Sequence, residues 1–156
     1  MGTMNKKERK KWYKEQFEAI SKDLKKEKSL SYYNFLRIRN FKIQNSSTEN
    51  EGRIKKITFK AFNLAKNEKI KEAIIELIGL DGVRIPIAST ILAMKFPNKY
   101  AIIDRKVLTE LGKTDWLKDY DENPDIYEKY LALLKEKAKK EKMSLRAYEW
   151  SLFEKT

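Results

Sequence analysis

Between Leu77 and Gly112 the chain reads LIGLDGVRIPIASTILAMKFPNKYAIIDRKVLTELG, and this stretch holds the residues on which a chemistry can be built. Asp104 follows the apolar pair Ile102-Ile103 and stands where a helix should begin, so backbone geometry would hold its carboxylate in place. Gly82 sits in the turn Leu80-Asp81-Gly82-Val83-Arg84 between two apolar helical stretches, where the missing Cβ lets a ligand approach the backbone. The chain contains no histidine and no cysteine. Imidazole bases, thiol nucleophiles, disulfides and thiolate zinc sites are therefore excluded, and catalysis must use carboxylates, lysines, hydroxyls or backbone amides. A fixed carboxylate can stabilise a developing cation or position a water molecule. It can also be a plain helix cap, and one side chain can fill both roles.

The elements that must position these residues are helical. Only five glycines and three prolines interrupt 156 residues, and apolar side chains recur at helical rather than alternating spacing, so an all-α fold is expected. With 41% hydrophobic residues the chain can bury one compact core, giving a single domain over residues 4–156. The periodicity predicts helices over Lys7–Lys26, Ser31–Phe41, Arg53–Lys66, Glu68–Ile78, Ile85–Lys95, Arg105–Leu111, Pro124–Lys140 and Ser144–Lys155. The polar run Ile43–Gly52 reads as an exposed loop, and its Gln44–Asn50 portion is either an ordinary connection or a wedge that reads a groove. Tyr33, Phe35, Phe41, Trp116, Trp150 and Phe153 are stacking candidates or core side chains.

Charge points to a polyanionic partner. Lys and Arg number 35 against 23 Asp and Glu, a net +12, and the excess is concentrated in residues 1–68, which hold 18 basic and 8 acidic side chains. Lysines that neutralise phosphates release condensed counterions, so binding to nucleic acid should weaken steeply with salt. Lys55 and Lys56 are candidates for such contacts. No apolar run approaches the roughly 20 residues of a membrane span, and a soluble, cytoplasmic, nucleoid-associated protein is expected. A non-catalytic DNA-binding module and a helical interaction or ribonucleoprotein component fit the same composition.

The apolar–glycine–apolar turn of residues 80–85 between two helices, spanning about residues 69–95, resembles a helix-hairpin-helix motif. With Phe96-Pro97-Asn98-Lys99-Tyr100 and Ala101-Ile102-Ile103-Asp104 following at the right spacing, residues 69–112 resemble the helix-hairpin-helix DNA glycosylase superfamily. More loosely, Phe35-Leu36-Arg37 and the tail Met143 to Trp150 resemble small bacterial relatives of 8-oxoguanine glycosylases. The resemblance implies a base-excision repair enzyme that cleaves the N-glycosidic bond of a damaged base. It implies Asp104 as the catalytic carboxylate, and Gly82, Val83, Arg84 and Ile85 as contacts to DNA phosphate. It also implies no resident cofactor beyond a monovalent cation at the hairpin carbonyls. Two departures matter. Arg84 replaces a frequent glycine and would be strained if that position required a positive φ, while its guanidinium would suit a phosphate. Pro86 stands where bifunctional members carry their nucleophilic lysine, which implies a monofunctional hydrolase.

Overall fold

The computed structural model describes residues 3–42 and 48–156. Among the described residues there are eight α-helices and one 3-10 turn, with no strand. The helices are α1 (Lys6–Leu24), α2 (Tyr32–Lys42), α3 (Glu51–Lys66), α4 (Ile70–Ile78), α5 (Ile85–Lys95), α6 (Arg105–Glu110), α7 (Pro124–Lys140) and α8 (Leu145–Lys155). The 3-10 turn, Thr114–Lys118, has no counterpart in the apolar periodicity. Asn5, Asn50, Asp104, Asn123 and Ser144 each accept a hydrogen bond from a backbone N–H in the first turn of the helix they precede. These side chains satisfy donors that helix geometry leaves unpaired.

Two helix starts differ by two residues from the sequence expectation, and three others by one. Asn50 caps α3, so that helix begins at Glu51 and takes in Gly52 and Arg53; residues 43–47 of the expected loop lie outside the described residues. Further on, α4 begins at Ile70 rather than Glu68. Glu68 adopts φ +61°, and the amides of Glu68 and Lys69 turn back to the carbonyls of Ala65 and Leu64 at 3.1 and 2.9 Å. That is a Schellman closure of α3, normally built on glycine. Lys142 closes α7 in the same manner, with φ +56° and a bond from Met143 N–H to Ala138 O of 2.9 Å.

The centre of the domain is α5. Nine of its residues, from Ile85 to Met94 except Pro86, are buried, which fits a helix that is apolar on every side. Helices α1, α2, α3 and α4 all pack on it. Ser89 and Thr90, polar but fully buried, donate their hydroxyls to Pro86 O at 2.9 and 2.7 Å, so neither costs an unmade hydrogen bond.

Candidate active site

After α5 the chain continues without regular structure through Tyr100, Ala101, Ile102 and Ile103, all buried. Such a stretch has no helix or sheet partners for its peptide groups, and each orphaned group would cost about 1–3 kcal/mol. Side chains from three helices supply the partners. From α7, the Tyr127 hydroxyl donates to Ala101 O at 2.9 Å and the Tyr130 hydroxyl to Ile102 O at 2.6 Å. From α8, Arg146 donates to Tyr100 O at 3.0 Å, and Glu149 accepts the Ile102 N–H at 3.0 Å. From α5, Ser89 Oγ accepts the Ile103 N–H at 3.1 Å. Tyr127 with Tyr130, and Arg146 with Glu149, are i,i+3 pairs, so each helix grips the extended segment from one face.

This clamp delivers Asp104 to the start of α6. Its Oδ1 accepts the Val107 N–H at 2.8 Å, and its Oδ2 lies 3.2 Å from Lys42 Nζ. The carboxylate is 26% exposed and the lysine side chain 12%, so the pair is half-buried and still reached by solvent. Glu149 is fully buried. Burial pushes its carboxyl up, opposed by the Arg146 guanidinium, which donates to both oxygens at 2.7 Å, and by the Ile102 N–H. Tyr13 of α1 feels Asp104 and Glu149 as well: burial first, then these two negative charges, hold its phenol well above the usual value. Burial and Asp121, with a smaller contribution from Asp104, raise Tyr120 too. Both phenols thus remain neutral donors within electrostatic range of Asp104.

Helix α2 joins this carboxylate to the Gly82 turn. Arg39 is 1% exposed and donates from one guanidinium nitrogen to Gly82 O at 2.5 Å; Lys42, one turn later on the same face, holds Asp104. Gly82 has φ +72°, and a Cβ there would fall 2.8 Å from Arg39 Nη1, so both backbone conformation and space require glycine. The rest of the turn is held from the N-terminal side of α3. Glu49 accepts the Asp81 N–H at 2.8 Å and the Arg53 Nε–H at 2.9 Å, and Arg53 also donates to Gly79 O at 2.7 Å. Thr48 donates from its backbone N–H to the Asp81 carboxylate at 3.1 Å.

The structure places the other candidate residues as follows. Arg84 lies in extended backbone, φ −106°, so it carries none of the strain that a positive φ would impose. Its guanidinium is paired with Asp121 at 2.9 Å and Glu122 at 3.2 Å. Ile85 is buried, and its N–H donates to Asp121 O at 3.0 Å; Val83 is buried and closes the turn on Leu80 O at 3.1 Å. Two of the phosphate-facing groups implied by the resemblance, the Arg84 guanidinium and the Ile85 N–H, are thus met by the Asp121–Glu122 loop. Lys55 and Lys56 are exposed on α3, Lys55 within 3.8 Å of Glu51. Among the turn carbonyls, Gly79 O and Gly82 O already accept from guanidinium groups and Leu80 O from Val83 N–H, an arrangement that opposes a further cation there. Among the described residues there is no cluster of metal-ligating side chains.

No protein-family model, curated protein or solved structure matches this chain. What the site can do therefore follows from its own geometry.

Lys42, Arg39, Tyr127, Tyr130, Arg146 and Glu149 are among the site residues to which sequence reasoning gave no role. A basic residue at a helix end or in a lysine-rich tail carries no signal until the fold brings a partner to it. Of the aromatic candidates, Phe35 is fully buried core, while Phe41, Trp150 and Phe153 form one cluster with Tyr13 and Phe17 between α1, α2 and α8. Tyr33, 68% exposed, lies beneath Arg37, and Trp116 beneath Lys113. Pro86 occupies the first turn of α5 and carries no amine. Lys95 donates to the carbonyls of Leu24, Lys25 and Glu27 and so closes the end of α1.

Proposed function

We propose that the protein is a DNA glycosylase of the helix-hairpin-helix kind, hydrolysing the N-glycosidic bond of a damaged base with Asp104. The observation that carries this reading is the α2 bridge. One helix face holds the Gly82 turn through Arg39 and, one turn later, Asp104 through Lys42, which ties the glycine turn to a carboxylate that solvent reaches. In the reaction the glycosidic electron pair leaves with the base and the sugar becomes oxocarbenium-like. Asp104 faces that positive charge and orients the water that adds to it, and the proton this water loses ends on the departing base. With proline at position 86 the product is an abasic site in an intact strand. A substrate of this kind would be met in the cytoplasm, at the nucleoid.

A second reading, a non-catalytic DNA-binding module, is favoured by one specific feature. Both Asp104 oxygens are already engaged, and the Lys42 ammonium opposes a second cation at Oδ2. Duplexes carrying different damaged bases, incubated with the protein and then treated with alkali, separate the two. The glycosylase reading expects alkali-dependent breaks that Asp104→Asn abolishes, with DNA affinity retained or raised. Salt-dependent binding with no base release from any substrate supports the module instead, and nicking without alkali contradicts the argument from Pro86.

A further inference from the structure

The Gly82 turn is at one end of α5, and its charges are balanced by acidic neighbours. At the other end, about 16 Å away along the 11-residue helix, charge is left over. There the end of α1, the Phe96–Lys99 turn and the start of α8 enclose an open cleft of about 620 Å³. Its walls include the aromatic side chains of Phe17, Phe96 and Trp150, and its rim carries Lys22, Lys25 and Lys99, against one carboxylate, Glu18.

Those three lysines are exposed, and among the described residues none of them makes an ion pair. Lys22 and Lys25 are like charges on successive turns of one helix face, a mildly unfavourable arrangement in isolation. Lys99 adds a third exposed cation from the opposite wall. The two other cations of the cleft are differently used. Lys95 is committed to the α1 carbonyls, and Arg146 to Glu149, Pro97 O and Tyr100 O. Asn98 accepts the backbone N–H of Arg146 through Oδ1 at 3.4 Å.

We infer that this cleft binds an unpaired nucleic-acid segment of one or two nucleotides. The phosphates meet Lys22, Lys25 and Lys99, and sugar or base lies against Phe96 and Trp150. The volume lies in the range of small-ligand clefts, room for one or two nucleotides, and lysines set around aromatic walls are the chemistry that holds single strands with little sequence preference. The inference goes beyond the proposed reaction and does not require Asp104 to be catalytic.

The test titrates a short oligothymidylate, and a duplex of the same length, into the whole protein, reading tryptophan fluorescence and the anisotropy of labelled DNA across a salt series. The single strand should bind more tightly than the duplex. The triple variant Lys22→Gln, Lys25→Gln, Lys99→Gln alters exposed side chains only, and circular dichroism checks its fold. It should lose about tenfold or more in affinity and flatten the log–log salt slope by about 1.4 to 2, from roughly 0.7 for each of the two or three phosphates that are no longer neutralised. Lys60→Gln, at an exposed lysine of α3 that pairs with Glu76 and does not line the cleft, should leave single-strand binding unchanged. The inference is overturned if the triple variant binds the strand with wild-type affinity and slope. It is equally overturned if inorganic phosphate at matched ionic strength competes as well as the oligonucleotide, which would reduce the cleft to a small-anion site.

Discussion

Glu149 is the most exacting point at which to perturb the site, because it is fully buried and serves two groups at once. Its oxygens accept the Ile102 N–H at 3.0 Å and the Arg146 guanidinium at 2.7 Å. Glu149→Leu removes both acceptors and leaves the Arg146 charge half-sequestered, so the cost should approach the 3–5 kcal/mol typical of a broken buried pair, plus about 1–3 kcal/mol for an orphaned amide. A domain of this size has only about 5–15 kcal/mol in hand, so this variant stands near unfolding. Glu149→Gln is the readable one. Its carbonyl still accepts one N–H while the charge is lost, and a cost of about 2–3 kcal/mol is expected. Urea unfolding followed by circular dichroism should show the midpoint fall with the slope unchanged. If Glu149→Gln and Glu149→Leu both cost less than about 1 kcal/mol, the clamp on residues 100–103 does not hold Asp104 in place and the reasoning fails.

Gly82→Ala should cost about 1–3 kcal/mol, since it forces φ +72° on a residue with a Cβ and drives that Cβ to 2.8 Å from Arg39; thermal unfolding checks it, and an unchanged midpoint would mean the turn relaxes freely. Lys42→Met should cost about 1 kcal/mol, and a double-mutant cycle with Asp104→Asn should show coupling between the two. The Glu49 carboxyl is held below its usual value by the Asp81 N–H and by Arg53, and that of Asp81 by Thr48. A carboxyl whose folded pKa is depressed stabilises the fold above its unfolded value and loses that contribution as pH falls through the folded one. Melting temperature should therefore drop below about pH 4.5, and Glu49→Gln should make that drop shallower.

The all-α class and the run of helices from α5 to α8 were legible in the sequence, because apolar spacing, the capping residues Asp104 and Ser144 and the proline at the entry of α7 announce them locally. The two left-handed closures at Glu68 and Lys142 were not, since nothing in a glutamate or lysine advertises a conformation normally reserved for glycine. Asp104 was visible as a cap, but its partner Lys42 lies 62 residues away, beyond any periodicity. The same holds for Arg84. Its type suggested a phosphate, and only the fold brings Asp121 and Glu122 against it.

The Tyr100–Ile103 segment is secured in large part by side chains that lie 26 to 47 residues further along the chain. Helices α1 to α5 can assemble their apolar contacts during synthesis before α8 has emerged. The Ile102 amide and Tyr100 O gain Glu149 and Arg146 only afterwards, so Asp104 reaches its final setting later than the helices that precede it.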